Sequence, residues 1–371
     1  MGSFASRLIA WQRRHGRHDL PWQGADAYRV WLSEVMLQQT QVATVIPYYQ
    51  RFVASFPTVN ALAAASEEQV LAHWSGLGYY ARGRNLHRAA RMVVGQHGGR
   101  FPQEFDAILA LPGIGRSTAA AICALAFRQR RAILDGNVKR LLARYCGIDG
   151  WTGDKKIERQ LWERAEALLP QRNVATYTQA LMDMGATLCT RSRPKCANCP
   201  LQRDCSAFNS NRVSALPTPR PHKAIPQRHS TFLLLLHGTR LLLEKRDSQG
   251  IWGGLWCPPQ FADEVAALTW CAQQGIRVEH CGAALPAFTH TFTHFKLHIT
   301  PLLLRVQDKP QCAQQSHDDW PDIAEARQRA IPAPVRQMLE KLGDCRTSNQ
   351  GNAHSPSSPA GHFCKACVNP A

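Results

Sequence analysis

Four cysteines near the middle of the chain have a spacing that suits metal chemistry. Cys189, Cys196, Cys199 and Cys205 form the pattern C-x6-C-x2-C-x5-C. This spacing is too tight and too asymmetric for a zinc site built from paired knuckles, whereas four cysteine thiolates are the usual ligands of an iron–sulfur cluster. The pattern predicts one [4Fe-4S] cluster in a loop over residues 189–205. Reduced structural cysteines and a zinc site of odd spacing are the alternatives.

A glutamate in an apolar segment is a second candidate for chemistry. Glu34 lies in VWLSEVMLQQTQ and shares a predicted helical face with Val30, Trp31 and Leu37. Apolar surroundings raise the pKa of a carboxyl group, which suits a general acid at neutral pH. A solvated glutamate on a helix surface is the alternative, but such a residue normally has polar neighbours.

Two glycines mark a tight turn between two predicted helices. Gly113 and Gly115 lie in LPGIGRSTA, before an alanine-rich segment that runs to Phe127. Glycine allows close approach of the backbone, so that amides at the start of the second helix can face a phosphate. The pattern is typical of a helix-hairpin-helix that binds DNA without regard to sequence. A helix turn without a ligand is the alternative.

Asp135 and Asn137 lie at the start of a further predicted helix, in ILDGNVKR. A simple N-cap is the commoner role for an aspartate at such a position. Behind a helix-hairpin-helix, however, an aspartate suits the active site of a DNA glycosylase, where a carboxylate opposes positive charge that develops on a sugar. We therefore take Asp135 as a second catalytic candidate and Asn137 as a candidate DNA contact.

The composition indicates a protein that meets polyanions. The 371 residues include 44 Lys and Arg against 27 Asp and Glu, which gives a formal net charge of +17. Such an excess favours binding to phosphates. The longest apolar stretch, Phe232 to Leu236, has the length of a strand, so no membrane span is expected. The cysteines outside the loop have no regular spacing, which argues against a secreted disulfide framework. We expect a cytoplasmic protein, associated with the nucleoid.

The periodicity of apolar residues predicts two domains and a tail. Residues 1–210 are predicted to be all-helical, with helices such as Val59 to Trp74. Residues 211–228 are basic and rich in proline, which predicts a stiff linker. Residues 229–343 contain both strand and helix patterns, which predicts an α+β domain. Residues 344–371 have few large apolar side chains and are predicted to be disordered. The tail contains Cys364 and Cys367, a lone C-x-x-C pair of the kind that binds metal when further ligands accompany it.

Together these motifs resemble the adenine-specific MutY-type branch of the endonuclease III superfamily. The resemblance runs from about residue 8 to about residue 342 and includes the cysteine spacing, LPGIGRSTA, ILDGNVKR, SEVMLQQTQV and WSGLGYY. It implies a monomeric base-excision enzyme that removes adenine mispaired with 8-oxoguanine or guanine in double-stranded DNA. By resemblance, Glu34 protonates the flipped adenine at N7 and then helps to activate water, while Asp135 stays ionised and stabilises the sugar intermediate.

The resemblance also assigns binding residues. Trp22 and Gln179 match positions that line the adenine pocket, and Gln39 and Tyr79 match residues that wedge into the duplex. The remaining candidates for DNA contact in this domain are Thr40, Gly113, Gly115, Ser117 and Asn137.

Ser117 separates two branches of the superfamily on chemical grounds. A glycosylase that also cleaves the backbone needs an amine to form a Schiff base, and bifunctional relatives have lysine where this chain has Ser117. The residue therefore predicts base removal with little or no lyase activity. Glu34 argues the same way, because endonuclease III lacks that glutamate. The nearest alternative is an endonuclease III-like enzyme that excises oxidised pyrimidines.

The second domain resembles a Nudix fold in the segments LLLEKR and IWGGLWCPPQF. A magnesium-binding Nudix helix needs clustered glutamates, and residues 261–275 offer only Asp263 and Glu264, which argues against a nucleotide-pool hydrolase. The family uses this domain to recognise 8-oxoguanine through a loop that matches Phe292, Thr293 and His294, although serine is frequent where this chain has Thr293. A polar turn without a ligand is one alternative, and a non-catalytic damage sensor is another for the whole chain.

Overall fold

The computed structural model describes residues 2–221, 224–247, 249–280, 285–307 and 318–350. The chain forms two compact units. The first comprises Met1–Pro226 with Arg246–Trp256, and the second comprises Gln227–Lys245 with Cys257–Ala371. No helix in these described ranges is long and apolar enough to cross a membrane.

The first unit is helical, as its sequence predicts. Its helices are α1 (Phe4–His15), α2 (Ala27–Leu37), α3 (Val42–Ser55), α4 (Val59–Ala64), α5 (Glu67–Trp74), α6 (Ala81–His97), α7 (Phe105–Leu109), α8 (Arg116–Phe127), α9 (Gly136–Cys146), α10 (Lys155–Ala167), α11 (Val174–Asp183) and α12 (Ser206–Asn209). A π-helical turn, Met184–Leu188, continues α11. Two short 3-10 helices, Cys196–Asn198 and Gln202–Asp204, lie in the cysteine loop.

One predicted helix is divided by a capping box. The sequence pattern predicts a single helix from Val59 to Trp74, but α4 ends at Ala64 and α5 begins at Glu67. Ser66 Oγ accepts a hydrogen bond from Gln69 N at 3.1 Å, and Ser66 N donates to Gln69 Oε1 at 2.9 Å. This reciprocal pair starts a new helix, because it satisfies backbone donors that the first turn leaves unpaired.

Apolar faces of the helices meet in a buried core that fixes the ends of α8, α9 and α11. Leu8 of α1, Leu142 of α9 and Tyr177 of α11 are among its members, and each is at most 2% exposed. Three predicted site residues depend on these helices: Gly115 directly precedes α8, Asp135 directly precedes α9, and Gln179 lies on α11. Packing of these helices therefore decides whether those residues come together.

The second unit contains a mixed sheet with helices, and the predicted α+β class is confirmed. Its strands are β1 (Gln227–His237), β2 (Arg240–Leu241), β3 (Leu243–Lys245), β4 (Trp256–Cys257, at the unit boundary), β5 (Gln260–Phe261), β6 (Val278–His280), β7 (Phe288–Thr291), β8 (Lys296–Val306) and β9 (Asp318–Asp319), and its helices are α13 (Glu264–Gln273), α14 (Ile323–Ala326) and α15 (Ala333–Gln350). β1 pairs with β8 in parallel, from Gln227↔Lys296 to Leu236↔Arg305. β7 pairs antiparallel with β8, which places the turn at 292–295 between them.

Two segments depart from the predicted organisation. In the predicted linker, Leu216 is 1% exposed, and its carbonyl accepts a hydrogen bond from Arg144 Nε at 2.8 Å. This part of the linker is thus anchored on the helical unit, because its apolar side chain can be buried there. At the other end, α15 continues to Gln350, beyond the expected domain end at residue 343. Cys364 and Cys367 lie outside the described residues.

Candidate active site

A cleft of about 860 Å³ opens in the helical unit. That volume is in the range of pockets that enclose a small molecule or a base. Eight residues that the sequence singled out line this cleft: Trp22, Glu34, Thr40, Gly115, Ser117, Asp135, Asn137 and Gln179. The fold therefore gathers side chains from distant parts of the chain around one cavity.

Glu34 lies on α2, a helix that begins at Ala27 and has Asp26 as its N-cap. The carboxylate of Asp26 accepts a hydrogen bond from Arg29 N at 2.9 Å and fixes the start of the helix. Burial raises the pKa of Glu34 to about 8, and the negative charge of Asp135 contributes to the same shift. The direction agrees with the sequence prediction. A carboxyl group with this pKa holds its proton at neutral pH and can donate it.

Asp135 is both an N-cap and a lining residue of the cleft. Its Oδ1 accepts a hydrogen bond from Val138 N at 2.8 Å, which caps α9. Burial raises the pKa of Asp135, while hydrogen bonds from the backbone of Val138 and Asn137 and the charge of Arg140 act in the opposite direction. The two interpretations of this aspartate are therefore compatible, because capping engages the same carboxylate that faces the cleft.

Ser117 connects α8 to the segment that leads to Asp135. Its Oγ accepts a hydrogen bond from Leu134 N at 2.9 Å. This contact positions the residue that immediately precedes Asp135. Among the described residues that line the cleft, none is a lysine.

Trp22 and Gln179 lie at the cleft on different elements. Trp22 is 6% exposed, and its ring packs edge-on against the ring of Tyr49. The two ring centroids are 5.2 Å apart and the interplanar angle is 71°. Gln179 Nε2 donates to Asp183 Oδ1 at 2.9 Å. Asp183 also binds Arg17, which lines the cleft. Sequence reasoning missed Arg17 and Asp183, because no local pattern links residues so far apart.

The glycine hairpin has the predicted position between α7 and α8. Gly113 has φ +80°, and a Cβ there would lie 2.8 Å from the Cβ of Asn85. Only glycine fits such a close approach without strain. Gly115 is the N-cap of α8 and lines the cleft. Gly113 is not among the cleft-lining residues.

Gln39 and Tyr79 are exposed residues outside the cleft lining. Both have a left-handed backbone, with φ 59° for Gln39 and φ 49° for Tyr79. Tyr79 is 46% exposed, a high value for a large aromatic side chain. A non-glycine residue with positive φ is costly and persists only where surrounding contacts hold it.

Arg82, which sequence reasoning missed, holds the backbone beside Gln39 and Tyr79 by hydrogen bonds to nearby carbonyls. Its Nη1 donates to the carbonyls of Val35, Met36 and Gln38. Its Nη2 donates to Thr40 Oγ1 at 3.1 Å and to the Leu77 and Gly78 carbonyls at 3.3 and 3.2 Å. One guanidinium thus holds both the end of α2 and the turn before Tyr79.

Phe292, Thr293 and His294 lie in the second unit, at the turn between β7 and β8. The ring of Phe292 stacks on Phe295 with centroids 4.3 Å apart and an interplanar angle of 15°. Phe292 N donates to Phe295 O at 2.9 Å. Thr293 and His294 are exposed. The turn therefore has an ordered aromatic base and two accessible polar side chains.

The four cysteines of the loop line one cavity, and none is in a disulfide. Across the described residues, no group of three or more His, Cys, Asp or Glu side chains is arranged to hold a metal ion. The shared cavity brings together four cysteine thiols, a donor set that fits an iron–sulfur cluster. Burial raises the pKa of Cys199 to about 11, which means that a thiolate there requires a cation.

Arg144 holds this loop from inside. It is 3% exposed and donates to the carbonyls of Thr190 and Arg191 at 2.7 and 3.1 Å. Its Nη1 lies 3.4 Å from Cys189 Sγ. A buried guanidinium beside a thiol is a suitable partner for the negative charge of a thiolate cage.

Comparison with protein families defines the class of protein. Residues 32–167 match the family described as "HhH-GPD superfamily base excision DNA repair protein". Residues 231–341 match a NUDIX domain. With a helical cleft that holds two carboxyl groups, the protein is a helix-hairpin-helix DNA glycosylase, a hydrolase of N-glycosyl bonds in double-stranded DNA, joined to a Nudix domain.

Curated relatives refine the assignment. The chain is 39% identical over 341 residues to the adenine DNA glycosylase of Buchnera aphidicola subsp. Acyrthosiphon pisum (strain APS), which covers 91% of this chain and 97% of the relative. It is 31% identical over 432 residues to the adenine DNA glycosylase of Homo sapiens, with 96% of this chain and 78% of that protein covered. The chain belongs to the adenine DNA glycosylase family.

A solved structure is similar to the helical part. A thermostable thymine-DNA glycosylase is 30% identical, with a TM-score of 0.51, and the match covers 56% of this chain and 95% of that chain. The relatives thus share the fold but act on different bases, according to their names. The fold alone therefore does not determine which base is removed.

Proposed function

We propose that this protein excises adenine paired with 8-oxoguanine or guanine from double-stranded DNA, acts as a monomer, and does not efficiently cleave the backbone. The observation that carries the proposal is the pairing of Glu34, whose pKa is about 8, with Asp135 in one cleft. Two carboxyl groups in different environments supply an acid and a charge-stabilising group for cleavage of a glycosidic bond.

The chemistry begins when the adenine leaves the base stack and enters the cleft. Glu34 transfers its proton to N7 of adenine. The bond between C1′ and N9 then breaks, and its electron pair leaves with the base. The carboxylate of Asp135 stabilises the positive charge on the sugar. Water adds to C1′ and loses a proton to the Glu34 carboxylate, which restores the acid.

The absence of lyase activity is proposed from Ser117. Ser117 Oγ accepts a hydrogen bond from the Leu134 amide, so the side chain at this position is a structural link to the neighbouring Asp135. Schiff-base formation needs an amine within reach of C1′. The described cleft-lining residues offer no lysine for that step.

We propose that the duplex is bound by the glycine hairpin before α8 and by the two segments that carry Gln39 and Tyr79. Amides at the start of α8, after Gly113 and Gly115, suit a DNA phosphate. Gln39 and Tyr79 suit insertion into the duplex, because both are exposed and Arg82 supports the segments that carry them. Thr40 and Asn137 line the cleft and are proposed to contact the flipped nucleotide.

Recognition of 8-oxoguanine is proposed for Phe292, Thr293 and His294. The exposed hydroxyl of Thr293 can donate and accept hydrogen bonds, and the Phe292 ring offers a surface for stacking. The polar turn thus has the groups that reading a modified base requires.

One [4Fe-4S] cluster is proposed to bind Cys189, Cys196, Cys199 and Cys205. Four cysteine thiolates would fill the coordination of the cluster, and the bound cluster would cross-link the loop. Cys199→Ser should abolish the bound iron and lower duplex affinity by about tenfold, because the loop loses its cross-link. Iron content and fluorescence anisotropy measure the two effects. Cys271→Ala, at a buried cysteine of the second unit, is the control and should keep its iron; full iron in Cys199→Ser would remove the assignment.

Single-turnover excision tests the proposed activity. The duplexes contain adenine opposite 8-oxoguanine, adenine opposite thymine, thymine opposite guanine, and thymine glycol opposite adenine, each sampled before and after alkali. The proposal requires release of adenine from the lesion pair, with strand breaks only after alkali. Cutting at thymine glycol without alkali would instead identify a bifunctional enzyme, and release of thymine opposite guanine would identify a thymine glycosylase.

A further inference from the structure

Asp183 is a fully buried carboxylate that the mechanism above does not use. It is 0% exposed and ends α11. Its Oδ2 accepts from Arg17 N at 3.0 Å, and its Oδ1 accepts from Arg17 Nε at 2.7 Å. Gln179 Nε2 donates to the same Oδ1 at 2.9 Å. Buried charges require partners, and Arg17 and Gln179 are the partners that this carboxylate has.

These contacts fix which end of the Gln179 amide points away from Asp183. The nitrogen and oxygen of a glutamine amide are usually assigned from their partners, because they look alike. A carboxylate paired with arginine can only accept hydrogen bonds. The NH₂ group of Gln179 must therefore face Asp183, which leaves Oε1 as the acceptor that this amide can offer to a base in the cleft, which Gln179 lines.

An acceptor at that position distinguishes bases by the group at carbon 6. Adenine carries an amino group there, which donates a hydrogen bond. Hypoxanthine and guanine carry an oxygen, which would face Oε1 as a second acceptor. A buried polar group without a partner is costly, and the expected discrimination is about ten- to a hundredfold.

We propose that Asp183 is a positioning residue that gives the cleft its preference for a 6-amino purine by locking the Gln179 amide. The inference rests on the proposed function and specifies how its substrate is selected. Arg17 completes the lock because its guanidinium contacts the same Oδ1 that Gln179 contacts, while its backbone N–H holds Oδ2.

The test measures a ratio of rates on the full-length protein. Duplexes place adenine, purine without a 6-substituent, or hypoxanthine opposite 8-oxoguanine, and single-turnover excision is recorded for each. The wild-type protein should excise adenine fastest and hypoxanthine slowest. Gln179→Leu and Asp183→Ala should each lower the adenine-to-hypoxanthine ratio by about tenfold or more. In the double variant, Asp183→Ala should lower the ratio no further, because it acts through Gln179.

Asp149→Ala is the matched control. It removes an exposed aspartate paired with Arg212, outside the cleft lining, and should leave the ratio unchanged. A purely structural role for Asp183 predicts that all three bases slow equally, and that result would overturn the proposal. If Asp183→Ala does not fold, Gln179→Leu decides alone, since an unchanged ratio in this variant refutes an amide readout. Failure of the wild-type protein to excise adenine is a separate result and refutes the proposed function itself.

Discussion

The cleft of the helical unit and the turn between β7 and β8 contrast in how they hold polar side chains. In the cleft, Glu34 and Asp135 are partly buried and their pKa values are raised. At the turn, Thr293 and His294 are exposed. Chemistry requires desolvated groups in fixed positions, whereas recognition can use accessible groups on a rigid base. The comparison indicates that substitutions in the cleft should change the rate, and that substitutions at the turn should change the choice of DNA.

Glu34→Gln tests the cleft most severely. The amide cannot donate an acidic proton, so excision should fall by ~10²–10⁴-fold while duplex affinity stays within about twofold. Single-turnover kinetics and fluorescence anisotropy measure the two quantities. Glu163→Gln, at an exposed residue of α10, is the control and should behave as wild type. Normal excision by Glu34→Gln would remove the proposed mechanism.

Asp135→Asn separates the cap from the chemistry. Asparagine caps helices as well as aspartate, so the free energy of unfolding should change by less than about 1 kcal/mol. Loss of the charge should slow excision by ~10²–10³-fold. Chemical denaturation and single-turnover kinetics provide the measurements. If the variant is destabilised and its rate is unchanged, Asp135 is only a cap.

Phe292→Ala tests the turn and should have a smaller effect of another kind. Loss of stacking should reduce the preference for adenine opposite 8-oxoguanine over adenine opposite guanine by about tenfold. The rate of the chemical step at saturating protein should remain close to wild type. Comparison of affinity and rate on the two duplexes checks this expectation. A fall in the saturated rate with unchanged preference would break the contrast between cleft and turn.

The pH dependence of stability sharpens the account of Glu34. Its pKa in the folded protein, about 8, lies above that of an unfolded glutamate. The folded state therefore binds the proton more tightly, and this contribution is complete below about pH 4 and is lost as the pH rises through about 8. Between about pH 5 and about pH 9, the Tm of the wild type should therefore fall further than the Tm of Glu34→Gln. Each kcal/mol of unfolding free energy that the wild type loses in this way should lower its Tm by ~2–4 °C. Equal falls in calorimetry would contradict a buried, protonated Glu34.

The sequence predicted the classes of both units. Apolar periodicity is local, so it indicated a helical first unit and a second unit with both strands and helices. The division between α4 and α5 was also encoded locally, in the capping box of Ser66 and Gln69, but the long apolar pattern from Val59 to Trp74 obscured it.

Residue types and spacing by themselves determined the candidates: Glu34 in an apolar segment, Asp135 at a helix start, and four cysteines in one loop. Only the tertiary structure decided that Glu34 and Asp135 share one cleft, that Arg82 supports two turns, and that Asp183 orients Gln179. The reason is physical: hydrogen bonds and burial depend on distances in space. Arg17 meets Asp183 because helix packing brings them together across 166 positions of sequence.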